Sequence, residues 1–243
     1  MKKILKLLLL GLLGFVVLLV LAGWLAHEPL PLVQKRGAAA DELARKVELA
    51  VNKAAWDSTR YVSWAFRTGT SYIWDKAENQ VLVKWDDYEV LLHTPSLQGK
   101  VRRAGELLAA GPARDKALRK AWSQFANDSF WLCAPMKLFD PGTQRGIVVL
   151  EDGSEALLVS YTSGGVTPGD HYLWILEESG LPKAWKMWVS IIPVGGLEFA
   201  WTNWTPADGP RIARDHPGAL FNVPILDLSF PAYTPDNSPF AAW

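Results

Sequence analysis

The chain has 243 residues with 25 basic and 25 acidic side chains, a balance that excludes a nucleic-acid binder working through clustered Lys and Arg. Hydrophobic residues make up 49% and Trp occurs 13 times, so apolar surface is ample for folding and a disordered chain is excluded. Lys2, Lys3 and Lys6 lie in a stretch with no acid, which leaves 22 bases against 25 acids, or −3, after residue 23.

Residues 7–21 carry no charge and consist almost wholly of Leu, Val, Phe and Gly, so residues 1–26 read as a signal peptide or signal anchor. With the basic residues held inside, the amino end is cytoplasmic and the rest is exported. The apolar run 7–26 is about 20 residues, enough to span a membrane. Val20-Leu21-Ala22 also suits signal cleavage. Two locations follow: the periplasmic side of the inner membrane as a single-pass, N-in protein, or the periplasm after cleavage. Cys133 is the one cysteine, so an internal disulfide and a lipoprotein-type lipid anchor are both excluded. Its neighbours Trp131, Leu132, Ala134 and Met136 make it an inert packed sulfur.

Residues 27–38, with Glu28-Pro29-Leu30-Pro31, read as a linker that stands a domain off the bilayer. A helix then starts near Ala39, with Leu43, Val47, Ala50, Val51 and Ala54 at spacings of three and four. After Asp57 the period becomes two, giving strands at 61–66, 71–75, 81–85 and 88–92. Helical segments are expected at 103–109 and 113–127, the second with an apolar stripe of Leu118, Ala121, Trp122 and Phe125. Strand patterns return at 145–151, 155–162, 171–178, 184–192, 197–204 and 222–230. Links this short require antiparallel pairing. The expected fold class is α+β, one large curved antiparallel sheet of about ten strands over 39–230 with helices on one face. The proline-bearing tail 231–243 should drape over the surface.

Large aromatics recur on one face of successive strands. Trp64, Phe66, Tyr72, Trp74, Trp85, Trp185 and Trp201 are therefore the candidate lining of a pocket for an acyl chain or similar hydrophobic ligand. The competing reading is that these rings fill a thick core. Asp170-His171 and Asp215-His216 each place an acid beside a histidine, which suggests a base and its orienter, but strand neighbours point to opposite faces, and turn-capping or surface roles fit better. The histidines show no zinc-ligand spacing, and no metal or cofactor is expected. The Gly164–Gly169 stretch lacks the Lys-Ser/Thr ending of a phosphate loop and reads as a turn. Arg102-Arg103 and Arg114, Lys116, Arg119 and Lys120 suit either anionic headgroups or a solvated helix face. Asn127-Asp128-Ser129 and Asn203-Trp204-Thr205 match the glycosylation pattern, a signal too short to carry weight.

The apolar start, the amphipathic helix, the Trp64-x-Phe66 and Tyr72-x-Trp74 hairpin and the later meander resemble the half-barrel of periplasmic lipoprotein carriers of the LolA/LolB type. Asn127 to Leu132, Pro135-Met136-Lys137-Leu138, Asp140-Pro141-Gly142 and Gly165 to Tyr172 are similar to a family of uncharacterised secreted bacterial proteins in the same fold group. The resemblance spans about residues 40–230 and implies a lipid-binding envelope protein with no catalytic role for these motifs. An apolar segment without a lipidation cysteine departs from both a soluble carrier and a lipid-anchored receptor. The expected function is thus a non-catalytic exported protein that binds a lipid or other hydrophobic ligand. The alternatives are a structural or interaction module of the envelope, docking another envelope protein with a filled core, and a hydrolase using Asp170 or His171.

Overall fold

Uncharged Leu- and Val-rich sequence after Lys6 favours one unbroken helix, and in the computed structural model α1 (Lys2–Ala26) forms it. The structure describes residues 2–163, 167–234 and 236–243. Within α1, Leu8–Ala26 is a 19-residue segment long and apolar enough to cross a membrane or to act as a signal.

The next elements are β1 (Lys35–Arg36), α2 (Ala38–Ala50) and α3 (Lys53–Ser58). The helix expected through Ala54 breaks at Asn52, which sits at φ 54° and accepts the Ala55 N–H through its side chain, capping α3. A meander follows: β2 (Tyr61–Phe66), β3 (Thr70–Asp75), β4 (Gln80–Trp85), β5 (Tyr88–His93), β6 (Gln98–Arg103) and β7 (Glu106–Leu107). Its first four strands match the period-two reading. The helix expected at 103–109 is instead the β6–β7 hairpin. Its turn residues Ala104 and Gly105 have φ 48° and 84°, a left-handed pair that joins tight antiparallel strands and no helix. Charges at Lys100, Arg102 and Arg103 hide the strand, because Val101 is its one buried large apolar side chain.

Pro112 opens α4 (Pro112–Cys133), which runs beyond the expected end at 127 and carries Phe130 and Trp131. Then come β8 (Thr143–Val149), β9 (Glu155–Tyr161), β10 (Asp170–Leu176), β11 (Pro182–Trp188), β12 (Leu197–Ala200), β13 (Thr202–Trp204), β14 (Ala213–Asp215) and β15 (Ile225–Ser229). The Gly164-Gly165-Val166 part of the glycine loop, and with it part of the Gly165–Tyr172 motif, lies outside the described residues.

All pairings are antiparallel, as expected, but the strands do not form one sheet. A seven-stranded sheet has the order β15-β2-β3-β4-β5-β6-β7, a six-stranded sheet the order β1-β8-β9-β10-β11-β12, and β13-β14 form a separate ribbon. Right-handed twist of roughly 20–25° per strand accumulates across a sheet, so this many strands divide more readily than they stay paired in one. Strand β15 returns to pair with β2 and forms one edge of the seven-stranded sheet. One continuous core lies between the inner faces, with α4 crossing it: Phe125 meets the seven-stranded sheet, and Phe130 and Trp131 meet the six-stranded one.

The chain ends cover the outer faces. Val33 joins a small cluster of Val148, Ala156, Leu158 and Leu173 outside the six-stranded sheet. Glu28 caps Lys186 at 2.7 Å, and the Trp188 indole donates to the Glu28 carbonyl at 2.7 Å. The 27–38 linker is therefore docked along the sheet, held by these bonds and by β1 against β8, and does not act as a free spacer. In the tail, Tyr233 and Phe240 pack on Tyr61, and Arg102 lies 4.2 Å from the Trp243 ring centre.

Candidate functional site

Alternation along β2, β3 and β4 turns Trp64, Phe66, Tyr72 and Trp85 inward, where all four are buried, with Trp74 partly so. Trp64 stacks on Tyr72 with ring centres 4.6 Å apart, and Phe125 meets Trp74 edge-on at 5.1 Å. The Tyr72 hydroxyl donates to Asp128 on α4 at 2.5 Å, and the Asn127 amide supports the other carboxylate oxygen at 2.9 Å. Burial pushes the Asp128 carboxyl above its usual range, against the lowering effect of these bonds. Trp85 stands apart, stacked on Tyr88 at 5.1 Å with the Lys120 ammonium 4.8 Å from its ring centre.

Trp185 and Trp201 belong to a second group. With Trp174 they form a triangle of indoles, each pair of centres 5.0–5.1 Å apart and tilted or edge-on. Phe130 stacks on Trp185 at 5.8 Å and packs on Tyr172 at 4.8 Å, while Trp131 meets Trp185 at 4.8 Å and Phe199 at 5.0 Å. The seven candidates are thus brought to one core but into two ring groups bridged by α4, with Trp85 at the margin. Sequence reasoning missed Phe130 and Trp131 as members. Continuing the stripe past 127 in steps of three or four would have reached them, Trp131 from Phe125 through Asp128 and Phe130 from Trp122 through Ala126.

His216 was also missed. It was expected in a turn or at the surface, yet it is 0% exposed, 4.4 Å from the Trp201 ring centre. Its Nδ1 lies 2.8 Å from the Val223 carbonyl, a contact that only an N–H can make, so in the neutral ring Nε2 carries a lone pair and faces no partner among the described residues. Burial lowers its pKa to about 4. Trp64, Trp74, Trp174, Trp185 and Trp201 likewise bury indole N–H groups without an acceptor among the described residues, as does the Tyr161 hydroxyl.

The acid–histidine pairs do not converge. Asp170 accepts from the Ser190 N–H at 2.9 Å and from the Thr167 hydroxyl at 2.6 Å, a turn-capping role. His171 lies on the other face, with Nδ1 2.6 Å from Ser160 Oγ, and burial lowers its pKa. Asp215 is engaged by the Asn203 and Asn222 amides, which lower its pKa. The Cys133 thiol donates to the Ser129 carbonyl at 3.1 Å and burial pushes its pKa up to about 11, so it stays protonated at neutral pH. Arg102 and Arg103 sit on a strand, committed to the Ala242 carbonyl and to Asp87.

Two surface hollows lie elsewhere. One of about 540 Å³ between α2 and β1–β8 has Leu43, Ile147 and the 80% exposed Leu49 with Lys35, Glu42 and Glu155 around them. The other, about 340 Å³ between β14 and β15, is polar, with Asn203, Arg214, Asp215 and Asp227. None of the seven candidate residues lines either one. Compared with family models and with curated proteins, the sequence matches none.

Proposed function

We propose that the chain is a non-catalytic, membrane-anchored envelope domain that works through its outer surfaces, its half-barrel-like interior closed by its own helix. Ring contact carries this reading. Phe125 against Trp74 at 5.1 Å, and Phe130 against Tyr172 at 4.8 Å, are distances of direct aromatic packing, so α4 occupies the place that a guest would take. The basic start and the apolar α1 support an anchor whose amino end is cytoplasmic, with the domain on the periplasmic side.

A second reading is favoured by a different observation. A lipid or other hydrophobic ligand bordered by Trp64, Phe66, Tyr72, Trp74, Trp85, Trp185 and Trp201, in the manner of the LolA/LolB carriers, would enter if α4 shifted. The five buried indole N–H groups that have no acceptor among the described residues support it. A buried donor without an acceptor costs about 1–3 kcal/mol, and ester carbonyls on a lipid would supply acceptors. Native mass spectrometry of the full chain extracted in mild detergent separates the two readings. A lipid retained by the parent and lost in a folded Trp74→Ala/Trp85→Ala variant establishes the carrier and removes the module; the bare chain mass, or a lipid that both retain equally on α1, is the outcome for the filled-core module.

A further inference from the structure

We propose that the β11–β12 loop, residues 189–196, is a second membrane contact that enters the same leaflet as the end of α1. The inference rests on α1 being a membrane span, as proposed above. The loop is bonded to the chain where it leaves the helix. Gly195 N–H donates to His27 Nδ1 at 3.0 Å, and Glu28 N–H donates to the Gly195 carbonyl at 3.0 Å. Val194 reaches the last turns of α1, its Cγ2 3.6 Å from the point where a Cβ on Gly23 would lie. The loop is therefore fixed beside the end of the span, with no free spacer between them.

Composition and bonding then suit a lipid surface. Residues 189–197 contain no charged side chain, and Ile191 stands 71% exposed at the tip. Trp24, in the last turn of α1, is 72% exposed and is of the residue type that favours the headgroup level. A loop entering an interface must bring few free backbone donors. Here Ser190 N–H is taken by Asp170, Ile192 N–H by the Val189 carbonyl and Gly196 N–H by the Met187 carbonyl, while Pro193 has none. Transfer of an exposed Ile side chain from water into an apolar phase is favourable, so the contact orients the domain on the surface that α1 enters.

The test uses the full chain in vesicles of phosphatidylethanolamine and phosphatidylglycerol. Cys133 is buried, so one engineered cysteine at a time takes a polarity-sensitive fluorophore. Ile191→Cys reports the loop, Val17→Cys the span, and Glu151→Cys the turn at the opposite end of the six-stranded sheet. Blue-shifted emission is expected at 17 and 191, with quenching by lipid-borne nitroxides about twofold or more above that at 151. Water-like emission at 191 with quenching at 17 overturns the loop contact and leaves the span standing. Water-like emission at both positions removes span and contact together. A blue shift at 191 without nitroxide quenching shows a protein covering the loop and also overturns the proposal.

Discussion

At the residue scale His216 joins burial, bonding and titration in one side chain. The unfolded chain takes up a proton near the ordinary value of 6.5, whereas the folded one resists until about 4. The unfolded state thus binds the proton first, and stability falls as pH drops through this window by about 3 kcal/mol. His216→Phe should remove that part of the acid sensitivity in denaturant titrations at pH 7 and pH 4; an unchanged slope would show that His216 is not buried neutral. Trp185 tests packing. Its truncation to Ala opens a void among Phe130, Trp131, Trp174 and Trp201, and should cost about 3–5 kcal/mol, against under about 0.5 for Leu49→Ala at the surface. Chemical unfolding of the two variants measures the difference. Tyr72→Phe strands one oxygen of buried Asp128 and should cost about 1–3 kcal/mol by the same assay.

At the element scale the molecule is organised by what covers each sheet face. Inside is α4; outside lie the linker on one sheet and the tail on the other. The linker fits because Gly146 has no side chain: a Cβ there would come within 2.5 Å of Val33 Cγ1. Gly146→Val should therefore lift the linker and raise amide exchange of Gln34, whose N–H donates to the Ile147 carbonyl, by about tenfold or more. Exchange unchanged from the parent would mean that Val33 does not seat there. The hairpin strands β2 to β5 were legible because their alternation was complete. The β6–β7 hairpin was not, since a short stretch with several basic residues and one buried apolar side chain reads like a solvated helix. The linker's docking was hidden for a related reason: a Pro-bearing polar stretch looks flexible in sequence, and the bonds that hold it come from residues over a hundred positions away, such as Lys186 and Gly195.

At the scale of the whole molecule, the α+β class, the antiparallel pairing and the apolar start followed from periodicity and charge. Division into two sheets did not, because β15 pairs with β2 across most of the chain and no local pattern records such a closure. The candidate site shows the same limit: alternation gave the inward rings of the strands, but whether their concavity is open depends on Phe130 and Trp131, which arrive from a helix. A closed interior requires α4 to stay in place between the sheets. Hydrogen exchange of the amides at 121–133, measured on the full chain with and without lipid vesicles, tests this most directly. Packed rings require these amides to exchange only with global unfolding and identically in both conditions; faster exchange through local opening, or a change when lipid is added, would contradict a permanently closed interior.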